Sequence, residues 1–314
     1  MGPVRTHRAT PIMRSCYKIS NPVITRFAPS PNGWLHLGHA FSAIFAAETA
    51  KSLGGKFLLR IEDIDLGRCR PEYLQGIYDD LAWLGLTWET PVRRQSEHFA
   101  DYEAALKRLR DMGLCYPCFA TRKEISDAID ASGVGHARWP LDPDGAPLYP
   151  GLYKDLAPAE LNRLMWEGRS YAWRLDMEKA LALAETKNSG PIHFREDGEG
   201  PRGQKGELAI QPMRFGDVIL ARKDVPTSYH LAVTLDDALQ NVTVVTRGQD
   251  LFPATYIHRL LQVLLDLPEP AYRHHALIRD ETGRRLSKTA KDQGLRELRL
   301  GGATPADIHR LIGL

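Results

Sequence analysis

An α/β fold with a doubly wound parallel sheet, interrupted by an inserted α+β subdomain, is what this sequence predicts, and three observations predict it. A β-branched run enters a turn-rich loop and then a segment of helical period. A second apolar run follows within about forty residues, the β-loop-α-β opening of such a sheet. Parallel-sheet-like runs return after residue 207, beyond a stretch of different character.

The elements follow in order. PVITRFA at 22–28 reads as the first strand and gives way to PSPNG, dense in turn formers. Leu37, Phe41, Ile44 and Phe45 then recur at helical spacing until Gly54 and Gly55 end the pattern, and Phe57 to Ile61 is the next strand. Pro71 opens a second helix carrying Leu74, Ile77, Tyr78, Leu81 and Leu84, with Gly85 as its stop. Phe99, Tyr102, Leu106, Leu109 and Met112 mark a third before Gly113. Between 114 and 207 proline, glycine and tryptophan are frequent and periodicity is poor, and ETKNSG and REDGEGPRGQKG read as exposed loops, so this stretch is expected to be the insertion. DVILAR, YHLAVTLDD and NVTVVTRG, between 217 and 248, read as the resumed sheet, with a helix over 253–265 behind it. The expected organisation is an irregular basic extension over 1–20, a first half of the sheet domain over 21–113, an inserted subdomain over 114–207, and a second half with a short tail over 208–314. Met13 is an alternative start.

Composition narrows the function classes. With 43% apolar and 25% charged residues in 314, the chain is neither disordered, collagen-like nor a coiled coil. Its 41 basic and 39 acidic residues give +2, so a nucleic-acid site must be a local patch rather than a property of the whole surface. Four cysteines, Cys16, Cys69, Cys115 and Cys118, are too sparse for a secreted disulfide scaffold and point to a reducing cytoplasm. No apolar run is long enough for a membrane span, and no membrane partner is expected.

Two motifs carry chemistry. His36-Leu37-Gly38-His39 sits where a strand-end loop becomes a helix, a place whose unpaired N–H groups and dipole favour an anion. Two imidazoles at i and i+3 face one way, and Gly38 lets a nucleotide approach the backbone. Alone, the tetrapeptide is equally two surface histidines at a helix start. Arg285-Leu286-Ser287-Lys288 lies in ETGRRLSKTAKDQG, which has too little apolar content for a core element and whose lysine suits a developing pyrophosphate charge. Alone, it is equally a solvated basic loop.

Together, RFAPSPNGWLHLGH before a helix, then RIEDID, then a late RLSK resemble the class I aminoacyl-tRNA synthetases, and RFAPSP with RIEDID resembles their glutamyl branch, over roughly residues 22 to 290. The resemblance implies a Rossmann-type catalytic domain and a ligase that forms glutamyl-adenylate from ATP, with Mg²⁺, and L-glutamate. His36, His39 and Lys288 become the catalytic residues, and His36, Gly38, His39, Arg285, Ser287 and Lys288 the ATP site. Arg26 can grip a substrate carboxylate, the loop through Ala28 and Ser30 offers further hydrogen bonds, and Glu62 can pair with an α-ammonium. The resemblance adds Tyr229 and Arg247 to this pocket. Arg26 and Glu62 could instead pair with each other, and Tyr229 could be an interior aromatic.

The pattern departs from the family in two places. Only 26 residues follow Lys288, where full-length glutamyl enzymes continue into anticodon-reading domains. The chain therefore resembles a truncated branch that attaches glutamate to the queuosine base of tRNA(Asp), with a monomer expected. A minimal enzyme charging tRNA(Glu), a ligase with a protein or small-molecule acceptor, and an inactive tRNA-binding module are the alternatives. The family's zinc pattern, Cys-x-Cys then Tyr-x₃-Cys, reads here as Cys118-Phe119-Ala120 and Tyr149-Pro150-Gly151-Leu152-Tyr153. Two thiolates are missing, and Cys115 and His136 would be the remaining ligands to recruit, so zinc is not expected and no metal site is assigned.

Overall fold

The computed structural model describes residues 22–278 and 294–314. β1 (Ile24–Phe27), α1 (Leu37–Ser52), β2 (Lys56–Ile61), α2 (Pro71–Trp83), β3 (Glu89–Arg94) and α3 (Phe99–Asp111) follow in order, and the three strands pair in parallel as β1-β2-β3. Small residues on α1, Ala40, Ala43, Ala46 and Ala50, are buried and let the helix lie close against β1, where the Thr25 hydroxyl donates to the Ala46 carbonyl at 2.9 Å. At the entry to β2 the approach is tighter still: a Cβ on Gly55 would sit 2.2 Å from the Val23 carbonyl oxygen, so only glycine fits.

β4 (Cys115–Cys118), α4 (Arg122–Ala131), α5 (Pro158–Trp166) and β5 (Ala172–Leu175) begin the middle of the chain; α6 (Met177–Asn188), β6 (His193–Glu196), β7 (Gly206–Ala209) and β8 (Ile219–Arg222) complete it. β4, β5 and β8 form an antiparallel sheet of their own, so the DVILAR run belongs to this sheet and not to a parallel one. Then come α7 (Tyr229–Leu239), β9 (Val244–Gly248), α8 (Ala254–Leu264), β10 (Ala271–His275), α9 (Leu295–Leu300) and α10 (Pro305–Ile312). YHLAVTLDD, read as a strand, is helix α7. Leu231, Ala232, Val233, Thr234, Asp236 and Asp237 are all buried there, and a helix covered on most faces shows no 3.6-residue alternation of polar and apolar positions. Ser228 caps its start.

The second sheet runs β7-β6-β10-β9, with β10 parallel to both β9 and β6 and only β7 antiparallel. It meets the first edge to edge. The Thr243 N–H donates to the Ile24 carbonyl at 3.0 Å and the Ile24 N–H to the Thr243 hydroxyl at 2.8 Å, which lays β9 alongside β1. From that seam the strand order runs outward in opposite directions, to β2 and β3 on one side and to β10 and β6 on the other. Such a reversal opens a crevice at the carboxyl ends of the two central strands, where open α/β sheets bind their ligands.

One apolar cluster fills the space beneath β1 and β2, and Leu295, Ile308 and Ile312 of the last two helices complete it against Ala40, Ile44, Ile77 and Leu81. A second lies under β9 and β10, from Phe194 and Leu231 to Ile257, Leu260, Leu261 and Tyr272. Among the described residues no helix is long and apolar enough to cross a membrane.

Candidate active site

Arg26 occupies the carboxyl half of β1 and Arg247 that of β9, so the seam brings two guanidiniums to the mouth of the crevice. Arg26 is buried and held by Asp237 of α7, Nε to Oδ1 at 2.9 Å and Nη2 to Oδ2 at 3.3 Å, while Nη1 donates to the Thr246 carbonyl at 3.0 Å. Arg60 of β2, wholly buried, reaches the same carboxylate at 2.7 Å and also donates to Glu62 at 3.1 Å. Arg26 and Glu62 therefore do not pair with each other; each has a different partner. Burial opposes the Arg60 charge, but Asp237, Glu62 and Asp236 around it outweigh burial and raise its pKa. At Asp237, burial would raise the carboxyl pKa, and Arg26 and Arg60 overcome it and hold the group below its ordinary value. Glu62 goes the other way: desolvation outweighs the pull of Arg60 and Arg26 and raises its pKa.

Arg247 is braced differently. Its Nε donates to His274 Nε2 at 3.1 Å, Nη1 to His258 Nδ1 at 3.0 Å and Nη2 to the Thr255 hydroxyl at 2.5 Å. His258 continues to His230 Nδ1 at 3.2 Å, and His274 Nδ1 to Glu196 at 2.5 Å. Tyr229, first residue of α7, is half-buried with its ring 5.5 Å from that of His258. Burial raises its phenol pKa, and the charges that act on it are Arg247, Glu62, Arg26 and Asp237. The structure thus gathers Arg26, Glu62, Tyr229 and Arg247 about one crevice. Ala28 and Ser30 lie on the loop leaving β1, where the Pro29 carbonyl accepts the Glu62 N–H at 3.0 Å and ties that loop to the end of β2.

His36 is the N-cap of α1. Its Nδ1 accepts the Gly38 N–H at 3.1 Å, and its own N–H donates to His39 Nδ1 at 3.2 Å. Both rings accept through Nδ1, which leaves the proton on Nε2 of each. Their centroids are 3.8 Å apart, and a Cβ on Gly38 would come within 2.9 Å of the His36 ring, so the glycine makes room for the imidazole itself. Arg285, Ser287 and Lys288 lie outside the described residues, as do Cys16 and the extension over 1–20. The described flanks of that late segment both end at α1. His275 Nε2 is 3.1 Å from the Ser42 hydroxyl, Gly294 forms an antiparallel bridge with His36, and the Leu295 N–H donates to the Leu35 carbonyl at 2.7 Å.

Among the described residues no three His, Cys, Asp or Glu side chains are grouped as a metal ion would need. Cys115 and Cys118 are three apart on β4 and project to opposite faces. Cys118 donates to the Tyr149 hydroxyl at 3.2 Å, the Arg174 guanidinium stands 3.9 Å over the Tyr149 ring, and burial pushes the Cys115 thiol up to about 12. His136 sits instead on the Ser126 hydroxyl at 3.0 Å.

Asp237, Arg60, His258 and His274 escaped sequence reasoning. One signal was available: Arg60 interrupts the apolar run KFLLRI and Asp236-Asp237 interrupts YHLAVTLDDAL, and a charge inside a buried element demands a partner. Asp236 meets that demand away from the crevice, accepting from Arg93 at 2.7 Å, Gln95 at 2.8 Å and Tyr102 at 2.9 Å.

The imidazoles predict an acid-sensitive window. Burial, with the Arg247 charge, lowers His230 to about 4 from 6.5. The folded protein keeps this ring neutral while the unfolded chain protonates it, so the stability it permits is present above pH 6.5 and is lost as pH falls toward 4. Asp80 and Asp197, raised to about 6 by burial, act in the opposite sense, so the informative quantity is a difference between proteins. His230→Gln, which cannot titrate, should gain on the wild type in thermal midpoint by roughly several degrees between pH 7 and pH 4.5. A constant gap across that range would contradict the assignment.

Comparison with known proteins adds a family, three relatives and a solved structure. Residues 22–302 match the family described as tRNA synthetases class I (E and Q), catalytic domain. The Glutamyl-Q tRNA(Asp) synthetase of Rhodobacter capsulatus is 49% identical over 292 residues, covering 93% of this chain and 100% of that protein; its Nocardia farcinica counterpart is 38% identical, covering 91% and 82%. The Glutamate--tRNA ligase of Aquifex aeolicus is 35% identical, covering 93% of this chain and 57% of that protein. Among solved structures, the glutamate-tRNA synthetase of Elizabethkingia anophelis superposes with a TM-score of 0.68 at 25% identity, over 90% of this chain and 54% of that one.

Proposed function

The chain belongs to the class I tRNA synthetases for glutamate and glutamine, and we propose that it activates L-glutamate with ATP and transfers it to the queuosine base in the anticodon loop of tRNA(Asp). The observation that carries this reading is the full-length match, at 49% identity, to a protein named for that reaction, where identity to the glutamate--tRNA ligase of Aquifex aeolicus is 35%.

The site supports the chemistry residue by residue. Arg26 and Arg247 each use three of five N–H groups on the protein, which leaves one on each terminal nitrogen for a substrate carboxylate. Glu62 pairs with the α-ammonium, the Tyr229 hydroxyl closes the pocket, and the loop through Ala28 and Ser30 lines its entrance. ATP lies along the start of α1, over Gly38, with the Nε2–H groups of His36 and His39 directed at its phosphates. The glutamate α-carboxylate attacks the α-phosphorus, and the bond to the β-phosphate oxygen breaks, giving glutamyl-adenylate and pyrophosphate. Arg285, Ser287 and Lys288 meet the negative charge that develops there, and Mg²⁺ bound with ATP supplies further neutralisation. A hydroxyl of the queuosine cyclopentene-diol then attacks the activated carbonyl and expels AMP. Unstacked loop bases are accessible to such a site. The reading carries with it a monomeric, cytoplasmic enzyme.

The test is acceptor choice. Labelled glutamate should attach to queuosine-containing tRNA(Asp) and neither to unmodified tRNA(Asp) nor to tRNA(Glu). Charging of tRNA(Glu) at its 3′ end would replace this reading with that of a minimal glutamate--tRNA ligase, and transfer that survives ribonuclease would point to a non-RNA acceptor.

A further inference from the structure

Three buried guanidiniums approach the crevice, and two of them share one carboxylate. Arg26 and Arg60 both bind Asp237, at 2.9 and 2.7 Å, so their charges are largely neutralised before a ligand arrives. Arg247 is buried to the same degree as Arg26, yet all three of its partners are neutral: two imidazole nitrogens and a hydroxyl. The direction of these bonds is fixed, because a guanidinium can only donate. His274 Nε2 and His258 Nδ1 must accept, which a protonated ring could not do at that atom. His258 therefore carries its proton on Nε2 and passes it toward His230 Nδ1. Burial and the Arg247 charge hold His258 well below its ordinary pKa, consistent with a neutral ring. The acid in the chain, Glu196, is set one residue back, with His274 between it and Arg247.

We propose that His258 is a positioning residue that aims Arg247 at the side-chain carboxylate of the substrate while leaving the guanidinium charge uncompensated, and so sets the preference for glutamate over the isosteric amide, glutamine. An aspartate at this place would hold the guanidinium as firmly as it holds Arg26. It would also supply the counter-charge that the substrate carboxylate otherwise provides, and would thereby remove the reason to prefer a carboxylate. This inference rests on the glutamate pocket proposed above.

The experiment uses the whole protein and reads pyrophosphate exchange with glutamate and, separately, with glutamine. His258→Asn and His258→Asp place an oxygen near the position of Nδ1 and differ only in charge. His258→Asn should keep the KM for glutamate within about threefold of wild type, whereas His258→Asp should raise it about tenfold or more with a smaller change in kcat, and should narrow the gap between glutamate and glutamine. Equal behaviour of the two variants overturns the proposal. If His258→Asp fails to fold, His258→Ala against His258→Asn decides: a raised KM in the alanine variant, restored by asparagine, supports positioning, and no difference overturns it. Arg247→Gln separates the two levels of the argument. If it leaves the KM for glutamate unchanged, the pocket assignment fails and this inference with it. If it raises the KM while His258→Asp does not, only the role of His258 falls.

Discussion

Asp237→Ala is expected to lower stability by about 3–5 kcal/mol and to abolish glutamate activation. The carboxylate is the shared partner of Arg26 and Arg60, and both guanidiniums are buried. Removing it leaves Arg26 with the Thr246 carbonyl, and Arg60 with Glu62, Gln240 and a distant Asp236 at 3.8 Å. Two cations then share a low-dielectric space with one neighbouring acid fewer. Freed from Asp237, Arg60 is expected to hold Glu62 against the substrate ammonium proposed to bind it. Asp237→Asn keeps the shape and removes the charge, and should show most of the same loss. Urea unfolding gives the stability term, and glutamate-dependent pyrophosphate exchange the activity. A folded Asp237→Ala protein with normal exchange would mean that Arg26 does not act on the substrate.

Lys288→Ala should reduce the same exchange rate by roughly a hundredfold or more with little change in the urea midpoint. ETGRRLSKTAKDQG has too little apolar content to contribute to a core, and the chain on either side of it is fastened to α1, at Ser42 by His275 and at His36 by Gly294. One attachment is at the first residue of the HLGH motif and the other is three residues beyond its last, so both flanks of the lysine segment meet the start of α1, where ATP phosphates are proposed to lie. Its proposed role is confined to the charge that appears as pyrophosphate leaves, which is why affinity for glutamate should change less than the rate. A variant with unimpaired exchange would sink the role.

How far the sequence could be read depended on how local the determining interactions are. The run from β1 through α3 was legible because each element carries its own punctuation, such as Pro71 before and Gly85 after α2, and its own period. α7 was misread because its burial on most faces removes the polar positions that mark a helix, and β8 because antiparallel pairing with β5 is decided by a strand more than forty residues away. In the site, Arg26, Glu62 and Arg247 could be singled out by family pattern, but not their partners. Arg26 and Asp237 are 211 residues apart in the chain, and Arg247 finds His274 and His258 across a strand pair and a helix. A single sequence shows that a charge in a buried strand requires a partner, and gives no distance rule for choosing which.

The seam between β1 and β9 also has a consequence in time. β1 gains β2 as a neighbour almost at once, but the hydrogen bond that fastens its other edge joins residues 219 apart. At ribosomal rates the interval between synthesis of Ile24 and of Thr243 is roughly 10 to 45 s. Throughout it β1 presents an open strand edge, and until α7 is made near its end Arg26 and Arg60 are without the aspartate that permits their burial. The first β-α-β layer can collapse during this interval only in a form that keeps both arginines wetted. Closure of the seam, neutralisation of the two guanidiniums and assembly of the proposed glutamate pocket therefore all wait for α7 and β9, and nascent chains that stop before α7 are the species most exposed to pairing with the wrong edge.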